Sequence, residues 1–196
     1  MPKDVDEDRR TPPKVMTHQQ FVLIFSCLVA ATSGYAQNEG AERTKLPVSA
    51  QIQGKIVAQG GNRIGNVVVT YSDGTEDQWS LKGNCGDPKV SANGTVGWEV
   101  YQLNPDGKSL KTYGGLYIND HLAVCFRGKI VANLAPAKSF IEGWAFSENG
   151  VVIKSRGAHG PAMIELFSLR TGPPTASVWA YEKNLPAWAE PFADTE

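Results

Sequence analysis

The densest set of reactive side chains in this sequence is Lys154-Ser155-Arg156-Gly157-Ala158-His159-Gly160. An arginine and a histidine on a glycine-rich loop suit the binding of a carboxylate or phosphate. Arg156 would offer a two-pronged hydrogen bond and His159 a proton donor or acceptor, and the glycines let backbone amides come close. The same glycines also serve a plain hairpin loop. Ser155, His159 and Glu165 can be written as a catalytic triad, but no nucleophile-elbow pattern surrounds Ser155. Asp120-His121, His159 and Glu165 are conceivable metal ligands, yet no HExxH or calcium-loop motif is present. No cofactor is expected. Five tryptophans stand at 79, 98, 144, 179 and 188. Trp98 and Trp144 would make stacking surfaces for a sugar or peptide if they face solvent, and core if they do not.

The loop must hang from the strands that flank it. Residues 140–172 read as three short apolar, partly β-branched strands. The breaks fall at Glu148-Asn149-Gly150, at Gly157 to Pro161 and at Arg170-Thr171-Gly172. Asn149-Gly150 predicts a type I′ hairpin, whose two central residues need positive φ. Upstream, Gln51 to Ile56 alternates and predicts an edge strand, broken at Gly60-Gly61-Asn62. Val67 to Tyr71 and Glu76 to Leu81 predict a hairpin about Ser72-Asp73-Gly74, with Trp79 on its face. In Val96 to Tyr101, period two places Val96, Trp98 and Val100 on one face and Gly97, Glu99 and Tyr101 on the other. Asn104-Pro105-Asp106-Gly107 is a turn. Ser109 to Tyr113 predicts another short strand before Gly114-Gly115. Leu122 to Phe126 and Lys129 to Leu134 form a further hairpin about Arg127-Gly128. No stretch before residue 184 keeps a helical period. Near the end, Pro186 opens and Pro191 stops one helical turn, with Leu185, Trp188 and Phe192 along one side.

Ser91-Ala92-Asn93-Gly94 and Ser147-Glu148-Asn149-Gly150 repeat one device, and Tyr71-Ser72-Asp73-Gly74 is a third version. Together with Ile164 to Gly172, this resembles the blade hairpins of TolB-like and WD40-like β-propeller proteins, chiefly over residues 88–101 and 144–172. The resemblance implies an antiparallel all-β fold with a surface suited to partners, and it carries no catalytic residues. The spacing exceeds the blade length of about 40 to 45 residues. The expected fold class is therefore all-β, with blade-like antiparallel sheets in a small or partial propeller, or a β-sandwich, and a short C-terminal helical turn.

The N-terminus bears on compartment. Phe21 to Ala31 is an uncharged apolar run of eleven residues, too short for a span of about 20. With small residues at Gly34 and Ala36, it predicts a signal peptide over residues 1–36, cleaved after Ala36. Residues 37–49 read as a flexible leader and 50–196 as a single β domain. The four bases and four acids of the first 36 residues cancel, so the remainder keeps the net charge of −1. That balance excludes a basic nucleic-acid face. No later run could span a membrane. Two cysteines remain, Cys85 and Cys125, and an even pair in an exported chain predicts a disulfide. The function expected is an exported binding or interaction module for an unidentified protein, peptide or carbohydrate. The alternatives are a small extracytoplasmic hydrolase or a structural envelope protein.

Overall fold

The computed structural model describes residues 45–56, 63–170 and 172–193. The signal-peptide reading of 1–36, the leader up to residue 44 and the break at 60–62 lie outside them. The described chain is all-β and antiparallel, as expected. Its large sheet has seven strands: β1 (Pro47–Ile56), β2 (Arg63–Tyr71), β3 (Glu76–Gln78), β4 (Cys85–Val90), β5 (Val96–Tyr101), β8 (Asn119–Phe126) and β9 (Lys129–Leu134). The order is β1-β2-β4-β5-β8-β9, with β3 beside β2. A two-stranded ribbon, β6 (Thr112–Tyr113) and β7 (Leu116–Tyr117), is inserted between β5 and β8. The small sheet is a meander of four strands, β10 (Phe140–Ser147), β11 (Gly150–Arg156), β12 (Met163–Phe167) and β13 (Pro174–Trp179). No helix among the described residues is long and apolar enough to cross a membrane.

Strand β1 starts at Pro47, three residues ahead of the expected domain start. Ser72 donates to the Leu46 carbonyl at 2.9 Å, and Lys45 pairs with Asp73 at 2.6 Å. Two of the three repeated turns share one construction. Gly74 donates to Tyr71 O, and Tyr71 N donates to Thr75 O. Gly94 and Ser91 do the same around Thr95. In both, the side chain before the glycine caps the turn: Asp73 Oδ1 and Asn93 Oδ1 each accept from the amide and hydroxyl of the following threonine. The third turn differs from the expected type I′. Ser147 pairs directly with Gly150, and Asn149 does not adopt positive φ. The type I′ signature sits instead at Arg127-Gly128, with φ of 51° and 75°, between the paired Phe126 and Lys129.

The middle of the large sheet is buried on both sides. On one side Val67, Val69, Cys85, Val96, Trp98, Ala123 and Cys125 form a core, closed over by Ile52, Tyr71 and Trp79. On the other, Leu122, Val124 and Leu134 meet Trp144, Val151, Ile153 and Phe167 of the small sheet. Strand alternation divides the two sets, since Leu122 and Val124 point one way and Ala123 and Cys125 the other. The outer face of the small sheet is covered by the C-terminal segment. Ala189, Leu185, Trp188 and Phe192 pack over Val152, Ile164 and Ala180. A 3-10 turn, Glu190–Phe192, runs through Pro191, so that proline lies within the turn instead of ending it.

Candidate functional site

A cleft of about 270 Å³ opens where the ribbon β6–β7 approaches the start of β10 and the end of β11. Ile64, Leu116, Tyr117, Phe140 and Ile141 give it an apolar wall; Tyr101, Asn119, Glu142 and Arg156 supply the polar groups, and Gly157 and Ala158 line the remainder. Each polar group is held by a specific element. Tyr101 ends β5 and Asn119 begins β8, where a register shift between Val100 and Tyr101 brings the two side by side. Glu142 is the extra residue of a bulge in β10, between the paired positions Ile141 and Gly143. Bulges re-aim side chains, and this one turns Glu142 toward Arg156 on β11.

Behind the cleft lies Glu99, 5% exposed. Its Oε2 accepts from the Tyr101 hydroxyl at 2.7 Å and from Asn119 Nδ2 at 3.1 Å. Asn119 Oδ1 in turn accepts from the Ile141 amide at 2.8 Å, which ties β10 to β8. Glu99 therefore fixes two lining side chains and, through Asn119, a third wall. Burial pushes its carboxyl up to about 7, against the hydrogen bonds from Tyr101 and Asn119, which pull it down. Burial and the Glu99 charge raise the Tyr101 phenol as well, so it stays a neutral donor.

At the rim, Arg156 forms an ion pair with Glu142, its Nε standing 2.6 Å from Oε1, and Nη2 donates to Oε2 at 3.5 Å. Lys154 Nζ stands 3.8 Å from the same carboxylate. Lys154 and Arg156 are two apart on β11 and so share a face.

Of the Lys154 to Gly160 stretch singled out from sequence, Arg156, Gly157 and Ala158 line this cleft. His159 lies on the exposed connection after β11 and does not line it. Trp98 and Trp144 are 3% and 1% exposed, which corrects their reading as stacking surfaces. Trp98 meets Trp79 edge-on in the core. Trp144 lies between the sheets, donating its indole N–H to Asp87 O at 3.1 Å beneath the Lys89 ammonium. Ser155 does neighbour Glu165, but both are buried between the sheets while His159 is exposed, so the triad does not assemble. Glu165 accepts from the Ala137 amide at 2.8 Å, and burial raises its carboxyl.

The expected disulfide is also corrected. Cys85 and Cys125 are both free and buried. They flank β5 on opposite sides, opposite Val100 and Val96 respectively. Two strand spacings of about 4.8 Å and four residues of about 3.4 Å separate them, far beyond the Cα limit of about 7 Å for a bridge. Burial raises both thiols, Cys125 to about 11, which keeps them unreactive.

Sequence reasoning missed Glu99, Tyr101, Asn119 and Glu142. The alternation of β5 did set Glu99 and Tyr101 on one face with Gly97, but that face looks solvent-facing until the small sheet is laid over it. Comparison of the chain with protein-family models, curated proteins and solved structures finds no match.

Proposed function

We propose that this protein is an exported binding module of the cell envelope or extracellular space that holds a small ligand in the cleft between its sheets. The observation that carries the reading is the construction of the cleft. An apolar wall faces hydrogen-bonding groups, Tyr101 and Asn119, that are fixed from behind by a buried carboxyl. Ligand sites combine apolar lining with a few such placed polar groups. The test is a thermal-shift screen of the full chain against sugars, peptides, organic anions and divalent metals. A ligand at 100 times its Kd stabilises by about 2.7 kcal/mol. A shift that disappears in Asn119→Ala supports the reading, and a silent screen moves the weight to a structural role. Export has its own check: the protein recovered from the cell envelope or medium should begin at Gln37. An intact N-terminus on all of the recovered protein would count against export.

One observation favours a second reading, an extracytoplasmic hydrolase. A carboxyl held near 7 beside a cleft-lining tyrosine suits general acid–base work. That reading expects turnover with a pH limb near 7, abolished in Glu99→Gln. Exposed His159 has no part in it.

A further inference from the structure

We infer that the cleft takes a small uncharged ligand built on a flat aromatic ring. This rests on the reading of the cleft as the ligand site and names the chemistry that it selects. Charge is the first selector. Among the described residues that line the cleft, only Glu142 and Arg156 are charged, and they are paired at 2.6 Å. Lys154, outside the lining, places a second cation 3.8 Å from the same carboxylate. A cationic ligand would compete with two protein cations for Glu142. An anionic ligand would meet the Glu142 carboxylate beside the guanidinium. Either would give up hydration to enter and find its partner already paired, a cost that an uncharged ligand avoids. The neutral polar groups are engaged as well. The Tyr101 hydroxyl and the Asn119 amide both donate to Glu99, and Asn119 Oδ1 accepts from the Ile141 amide. These bonds fix the walls and leave their apolar surface as the main contact for a ligand. Shape is the second selector. Tyr101 and Tyr117 both line the cleft and meet edge-on, with centroids 6.3 Å apart and planes at 74°. A flat ring laid parallel to one of them stands edge-on to the other, and both are preferred arrangements of aromatic pairs. A saturated ring of the same size gains from neither. At about 270 Å³ the cleft lies just below the usual range of about 300 to 1,000 Å³ for drug-sized ligands, so the ring system is small.

The experiment follows amide NMR signals of Ile141, Gly157 and Ala158 in the full chain during titration with benzyl alcohol. Three probes of similar size are compared with it: cyclohexylmethanol, which is saturated; benzylamine, a cation at neutral pH; and benzoate, an anion. Benzyl alcohol is expected to move these signals and to bind about tenfold or more tightly than either charged probe, the scale of one charge left without its partner. It should exceed cyclohexylmethanol by about two- to tenfold, the worth of an aromatic pair beyond its buried area. Tyr117→Leu, which keeps the wall apolar and removes one ring, should bring benzyl alcohol level with cyclohexylmethanol. Should Tyr117→Leu lose its dispersed spectrum, Ala158→Trp, which fills the cleft from an exposed position, must abolish the shifts instead. A charged probe that binds as tightly as benzyl alcohol overturns the inference, and so does an equal affinity for cyclohexylmethanol; the cleft then stays a binding site of another specificity. If none of the probes moves the cleft signals, the inference falls, and the broader screen alone decides whether the cleft binds anything.

Discussion

Glu99 is the residue on which the cleft depends, and its position has a cost. The groups around its carboxyl are Tyr101 on its own strand, Asn119 on β8, and Asp87 and Lys89 from β4. Its folded value of about 7 lies above the 4.5 of an ordinary glutamate. The stability it contributes is therefore full below about 4.5 and declines as pH rises through 7. The loss amounts to about 3 kcal/mol once the carboxyl is ionised in both states. Glu165 is shifted in the same direction and adds to the trend. Asp73, held low by Lys45 and Thr75 on the surface, runs the other way and matters only in strong acid. Glu99→Gln keeps an acceptor for Tyr101 and removes the ionisation. Its denaturation midpoint should change less between pH 5 and pH 8 than that of the native chain. An identical pH dependence in both would show that Glu99 does not titrate in this window. The cysteines allow a second check. A thiol reagent should modify neither Cys85 nor Cys125 in the native protein and both in denaturant without reductant. Modification of neither residue under the second condition would indicate a bridge after all.

At the scale of the element, β5 does two jobs at once. Val96, Trp98 and Val100 serve one core, while Gly97, Glu99 and Tyr101 face the small sheet. Gly97 is the contact surface for Trp144. A methyl group there would stand 2.7 Å from the indole, which is fully buried and cannot swing aside. Gly97→Ala should destabilise by about 1–3 kcal/mol, the usual cost of overpacking. A denaturation midpoint within error of the native value would mean that the sheets slide to make room. The period-two pattern of β5 was legible from sequence, as were the hairpins about Asp73, Asn93 and Arg127, because turn chemistry and alternation are local. What covers the second face was not legible. Nothing near Gly97 in the chain points to Trp144, 47 positions away. For the same reason the sequence left both core and surface open for Trp98 and Trp144, and only sheet packing decides between them.

Across the whole molecule, the two sheets and the C-terminal cover make three apolar layers, and each was foreshadowed unevenly. The tail was readable because Leu185, Trp188 and Phe192 fall on one side of a turn, and those residues do pack on Val152 and Ile164. The cysteine parity argument failed because it concerns compartment and count, while bridging depends on strand order. The cleft lay beyond reach, since it joins β2, β5, β7, β8, β10 and β11, and no spacing in a single stretch encodes such a meeting. The strand order itself has a consequence for how the chain folds. Nearly every pairing joins strands that follow one another, and the widest excursion is the ribbon between β5 and β8. The loops to be closed are therefore short, and closure entropy grows with their length. Folding rate falls as contacting residues lie farther apart in sequence. This chain should thus acquire its sheets hairpin by hairpin, faster than a Greek-key sandwich of equal size, with the union of the two sheets across Gly97 and Trp144 as the late, rate-setting event.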